Sequence, residues 1–169
     1  MNIVLTGFMA TGKTAIGRAI ADNSGYAFED TDSMIVTRSG MEINEIFDKY
    51  GEERFREMER EAVCDAAKRD NTVIATGGGV VLDKRNIDTL RKNGVIFNLN
   101  PDFSVIESRV SEARATRPLM KNENIEEIKK RFEQRKPFYD NCDCKIHITH
   151  DRTPASYAEE ILKIMEERK

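Results

Sequence analysis

An α/β fold is predicted for this chain: a parallel sheet with helices on both faces. Two observations predict it. Short apolar runs alternate with longer amphipathic stretches from one end of the chain to the other, the pattern of strands joined by crossover helices. Residues 7–14 read GFMATGKT, directly after the apolar run Ile3-Val4-Leu5 and before a helical pattern from Ala15. That G-x-x-x-x-G-K-[ST] pattern, in a strand–loop–helix setting, is the phosphate-binding loop of nucleoside-triphosphate enzymes.

The elements follow in order. Residues 2–6 form the first strand and lead into the loop. Gly7 and Gly12 permit backbone angles that a Cβ would obstruct, so successive N–H groups turn toward phosphate oxygens. The N-terminus of the next helix, 14–23, adds partial positive charge. Lys13 supplies a full charge, and the Thr14 hydroxyl suits Mg²⁺. A strand over 27–29 follows, then helices over 32–39, 43–50 and 52–69. Strands over 72–76 and 95–99 flank a helix at 84–92, and a helix over 103–111 comes next. Residues 112–124 have no clean period and carry Arg114, Arg117, Pro118 and Lys121. Pro118 disfavours helix at Arg117, and beside a phosphate loop this basic segment reads as a lid. A helix over 125–138, a strand over 145–149 and a helix over 154–167 complete the chain. Ligands of such sheets bind at the carboxyl ends of the strands, and the unusual residues cluster there.

Bulk composition narrows the function classes. The 169 residues suit one domain over 1–169. A net charge of −3 with 34% charged residues shows no basic excess, which argues against a nucleic-acid binder. No apolar run reaches membrane-spanning length, and residues 1–6 begin a strand rather than a secretion signal, so a cytoplasmic location is expected. Cys64, Cys142 and Cys144 lack metal-ligand spacing and read as free thiols of a reducing compartment. His147 and His150 read as strand-end residues.

Four constellations bear on a phosphate acceptor. Asp30-Thr31-Asp32 follows the second strand. Beside a phosphate loop, one acid can hold Mg²⁺ and the other can accept a proton from an attacking hydroxyl; the alternative is a helix N-cap. Arg56 and Glu59, three apart on a charged helix, offer a pre-set anion clamp. On the residues alone they read as a surface ion pair of about 0.3–0.5 kcal/mol. Gly77, Gly78 and Gly79 end the third strand and let a ligand approach the backbone closely. Arg117 and Arg135 can stabilise a transferred phosphoryl group or bind an anionic acceptor, or lie on the surface.

Taken in order, GFMATGKTAIGR, FEDTD, FREME, ATGGGVV, RPLM, QRKPFYD and ITHDRTPASYAEEIL span nearly the whole chain. The ordered set resembles the shikimate kinase family, in the nucleoside-monophosphate-kinase-like group of phosphate-loop folds. The resemblance implies a three-layer fold whose five-stranded parallel sheet has the order 2-3-1-4-5. It implies transfer of the ATP γ-phosphate to the 3-hydroxyl of shikimate on the route to chorismate, by a monomer with no nucleic-acid or membrane partner. Carried over by position, Gly7, Ala10, Thr11, Gly12, Lys13, Thr14 and Ala15 bind ATP, and Thr14 and Asp30 lie at Mg²⁺. Asp32 matches the acid that binds shikimate hydroxyls and is the candidate general base. Arg56 and Arg135 match the arginines on the shikimate carboxylate, and Gly77–Gly79 the loop beside the ring. Arg117 matches the lid arginine that reaches the γ-phosphate; Arg109 and Arg152 fall near adenine. Ala10 and Ala15 depart from the glycine and the small hydroxyl residue common there, which implies altered nucleotide affinity. Within the same fold the alternative is a gluconate or nucleotide kinase. Arg56 with Arg135 beside an acid pair favours the shikimate reading, and retention of Lys13, both acids and Arg117 argues against a catalytically silent relative.

Overall fold

A computed structural model describes residues 1–116 and 124–168. The sheet comprises β1 (Asn2–Thr6), β2 (Ala27–Asp30), β3 (Thr72–Ala75), β4 (Gly94–Pro101) and β5 (Cys144–Ile148). All pairings are parallel and the order is β2-β3-β1-β4-β5, as the resemblance implies. The helices are α1 (Lys13–Ser24), α2 (Thr31–Ser39), α3 (Ile43–Ala67), α4 (Lys84–Arg91), α5 (Phe103–Thr116), α6 (Ile125–Tyr139) and α7 (Pro154–Glu167), with a 3₁₀ turn at Val80–Leu82. Strand ends agree with the sequence expectation to within two residues. Residues 112–116, expected in an irregular segment, continue α5. None of them is Pro or Gly, and Pro118 is the first residue beyond them that opposes a helix. The rest of the expected lid, with Arg117, lies outside the described residues.

Residues of β1 are buried throughout, with Ile3-Val4-Leu5 apolar at its centre, because both sides of the strand are covered. Ile3 and Leu5 face one layer, where α1 and α7 add Ile16, Ile20, Tyr157 and Ile161. Val4 faces the other, where α3, α4 and α6 add Val63, Ile87, Leu90 and Phe132. A smaller cluster of Ile35, Ile46, Phe55 and Ala62 joins α2 to α3. Among the described residues, no helix is long and apolar enough to cross a membrane. The central strand β1 has β3 on one side and β4 on the other. The chain's connections diverge there, which opens a crevice at the carboxyl ends of the strands.

One break in α3 matters for the site. Gly51 has φ 82° and ψ 173°, so the helix is interrupted between two segments, as the separate helices over 43–50 and 52–69 anticipate. The first segment packs with α2; the second carries Arg56 and Glu59. A Cβ at Gly51 would meet nothing within 4 Å, so only the backbone demands glycine there. Gly51→Ala is therefore expected to destabilise by about 1–3 kcal/mol through backbone strain alone. Thermal unfolding should show a drop of several degrees; an unchanged Tm would mean that residue 51 does not need this conformation.

Candidate active site

The phosphate loop joins β1 to α1. Thr11 is fully buried, and its hydroxyl donates to the Phe8 carbonyl (2.9 Å). Lys13 Nζ donates to the carbonyls of Gly7 (2.7 Å) and Phe8 (2.8 Å), so the ammonium is held across the loop. Burial pushes its pKa down to about 8, against the pull of Asp32 and Asp30, while Arg135 adds to the depression. A desolvated cation in this position is one that an incoming anion would stabilise. Ala10 has φ 59°, a left-handed conformation that glycine adopts without steric cost and alanine does not. Its carbonyl accepts from Arg109 Nη1 (2.8 Å), which ties α5 to the loop. Ala15 is exposed on the first turn of α1.

At the end of β2, the two sequence readings of Asp30 apply to one side chain. Oδ1 accepts from the Ser33 N–H (3.1 Å) and caps α2; Oδ2 accepts from the Thr14 hydroxyl (3.3 Å) at the phosphate loop. Thr31, buried, accepts from the Gly77 N–H through its hydroxyl (2.9 Å). This bond pins the start of α2 to the glycine loop after β3. Asp32 consequently lies on that loop: a Cβ at Gly77 would sit 2.5 Å from its Oδ1. Burial, and then the neighbouring Asp30, raise the pKa of Asp32 above the ordinary carboxylate range, opposed by Lys13 and Arg56.

Gly79 receives Arg56 in the same way. A Cβ there would lie 2.3 Å from Nη1 and 2.8 Å from Nη2. The guanidinium therefore rests on bare backbone. Nη1 donates to Glu59 Oε1 (2.8 Å), and Nη2 lies 3.5 Å from the exposed Glu52. Glu59 is only 2% exposed, which corrects the surface-pair reading. This face of α3 is turned onto the crevice, and charges that look solvated in sequence are enclosed. Burial raises the pKa of Glu59, and Arg56 opposes that rise. Removing one partner of such a pair costs about 3–5 kcal/mol, far above a surface pair.

Arg135 approaches from α6, with Nη1 3.6 Å from where a Gly78 Cβ would stand. Among the described residues it has no carboxylate partner, unlike Arg56. Tyr139, one turn further on, donates its hydroxyl to the Gly78 carbonyl (2.7 Å). Lys13, Thr14, Asp30, Asp32, Arg56, Arg135 and the three glycines thus share one crevice. Arg152 is engaged elsewhere, by Ser156 (2.9 Å), Glu160 (2.7 Å) and the face of the Tyr157 ring (4.2 Å). Thr31 and Tyr139 are the supporting residues that sequence reasoning did not single out for the site. Thr31 stood between two acids without a role, and Tyr139 closed a motif read for its arginine.

The shikimate kinase family model matches residues 9–166. The shikimate kinase of Thermoanaerobacter pseudethanolicus is 46% identical over 163 residues, which cover 96% of this chain and 94% of that protein. Among solved structures, shikimate kinase from Acinetobacter baumannii in complex with shikimate superposes with a TM-score of 0.88 at 31% identity, covering 99% of this chain and 94% of that one. Shikimate kinase from Bacteroides thetaiotaomicron gives a TM-score of 0.89 at 30% identity, with 98% of each chain covered. The order of the sheet and the phosphate loop agree with these matches, and the chain belongs to the shikimate kinase family.

Proposed function

We propose that this chain transfers the γ-phosphate of ATP to the 3-hydroxyl of shikimate, giving shikimate 3-phosphate and ADP. One observation carries the reading beyond family membership: an acid and two arginines converge on a Cβ-free strip of backbone beside a phosphate loop. A small hydroxylated carboxylate has the complementary chemistry. Arg56 and Arg135 receive its carboxylate through charge-assisted hydrogen bonds. Arg56 arrives already oriented by Glu59, and Arg135, with no carboxylate partner among the described residues, supplies the second charge. Gly77–Gly79 are assigned to the ring, with Gly77 and Gly79 seating Asp32 and Arg56 against the backbone. The Arg56–Arg135 pair beside two acids favours shikimate over a gluconate or nucleotide acceptor.

Asp32 then receives the acceptor hydroxyls. The 3-hydroxyl oxygen forms a bond to the γ-phosphorus as the bond from phosphorus to the β,γ-bridging oxygen breaks. The hydroxyl proton passes to Asp32, whose raised pKa makes it a better base than an exposed aspartate. Lys13 and the loop N–H groups stabilise charge on the transferring group, where little covalent help is needed. Gly7, Ala10, Thr11, Gly12, Thr14 and Ala15 bound the phosphates, and Arg109 and Arg152 are assigned to the nucleotide. Arg117 is assigned to the γ-phosphate. The Thr14 hydroxyl and Asp30 carboxylate form a hard-oxygen pair at the loop, and these two side chains would hold Mg²⁺. When bound, that ion neutralises phosphate charge. We assign the work to one domain acting as a monomer, as the resemblance implies. Three free cysteines support a cytoplasmic location and its reducing conditions.

ADP release followed by a coupled assay is expected to depend on shikimate and saturate with it. Release that ignores shikimate but responds to another hydroxy compound overturns the assignment. Asp32→Asn should lower kcat by about 10²–10⁴-fold with the KM for ATP little changed; near-normal turnover rules out an essential base. Arg135→Ala removes one charge-assisted contact worth about 1.5–3 kcal/mol. It should raise the shikimate KM roughly 10–100-fold and spare that of ATP. The opposite split contradicts the clamp.

A further inference from the structure

We propose that Tyr139 is a positioning residue of the acceptor site: its hydroxyl latches the end of α6 to the glycine loop and so sets where Arg135 stands relative to Arg56. The proposal rests on the carboxylate-clamp reading given above.

The two arginines reach the crevice from different elements, Arg56 from α3 and Arg135 from α6. Arg56 is fixed twice, by the buried Glu59 and by its seat on Gly79. Arg135 has neither anchor. What it has is Tyr139, at i+4 on the same face of the helix. The two side chains converge on one point of the loop. A Cβ at Gly78 would stand 3.6 Å from Arg135 Nη1 and 3.8 Å from Tyr139 Oη. The Tyr139 hydroxyl donates to the Gly78 carbonyl at 2.7 Å, and the residue is only 6% exposed. Burial pushes the pKa of this hydroxyl up to about 12, so it stays protonated and remains a donor at working pH.

The end of α6 needs such an anchor. Pro137 lies inside the last turn and has no N–H to donate, so that turn holds one backbone bond fewer. Without the latch, Arg135 would ride on a loosened helix end. Gly78 is joined through its chain neighbours to Gly77, bonded to Thr31, and to Gly79, under Arg56. Anchoring α6 at Gly78 therefore references Arg135 to the same three residues that seat Asp32 and Arg56. Tyr139 itself donates to backbone, so its effect on the acceptor passes through Arg135.

Tyr139→Phe keeps the ring that packs among Phe8, Ile128 and Phe132 and deletes only the latch. The expected result is a shikimate KM raised about 3–10-fold, with kcat and the KM for ATP each within about twofold. Calorimetric shikimate binding should weaken in parallel. In a double-mutant cycle with Arg135→Ala, the Tyr139→Phe effect on shikimate affinity should largely vanish, because the group being positioned is gone. An unchanged shikimate KM, equal changes for both substrates, or full additivity in the cycle would each overturn the proposal; the last two would reduce Tyr139 to a packing role. A wild-type enzyme without shikimate-dependent ADP release would instead overturn the clamp itself. If Tyr139→Phe does not fold, Tyr139→Leu, which fills apolar space and has no donor, is carried through the same cycle with the same criteria.

Discussion

Asp32 and Arg56 rest on the backbone after β3 because residues 77 and 79 have no Cβ. With side chains there, an Asp32 oxygen would have to move from 2.5 Å and an Arg56 nitrogen from 2.3 Å. This steric permission precedes every electrostatic argument about the site. It allows an acid from α2 and a base from α3 to share a few ångströms of one loop. The loop is also held in place by what it receives: Thr31 takes the Gly77 N–H, and Tyr139 gives to the Gly78 carbonyl. Bare backbone is both the floor of the crevice and the hub to which three elements are tied.

The charges in the crevice are arranged in unequal states of satisfaction. Glu59 is enclosed and engaged by Arg56, an arrangement that is costly to break because a lone buried charge would remain. Lys13 hydrogen-bonds to neutral carbonyls, and burial depresses its pKa against the pull of Asp32 and Asp30. Arg135 has no acid partner among the described residues. The Arg56–Glu59 pair defines shape here, and Lys13 and Arg135 are the cations placed to meet an anion.

The sheet and the phosphate loop were legible in the sequence because both depend on local pattern. Apolar runs of strand length, the GFMATGKT loop and the break at Gly51 can each be read within a few residues. Asp30 and Asp32 were legible as a pair for the same reason. The support of the site was not. Thr31 meets Gly77 across 46 residues, and Tyr139 meets Gly78 across 61. A hydroxyl bonded to a distant backbone group leaves no spacing rule behind. Glu59 misled for a different reason: a helix rich in charge looks solvated until tertiary packing decides which face is turned inward. The adenine-side expectations remain divided in the structure, with Arg109 on the Ala10 carbonyl and Arg152 held by Ser156 and Glu160.

Asp30 spends one carboxylate oxygen on the cap of α2 and the other on the Thr14 hydroxyl. That double use narrows the evolutionary routes open to the position. Asparagine could keep an acceptor for the cap but would lose the charge; glutamate would keep the charge but lengthen the reach by a methylene. Serine would cap and do little else. A drifting lineage would therefore meet folding and phosphate-site chemistry as a single hurdle at this residue, with few intermediates that satisfy one demand while the other is rebuilt.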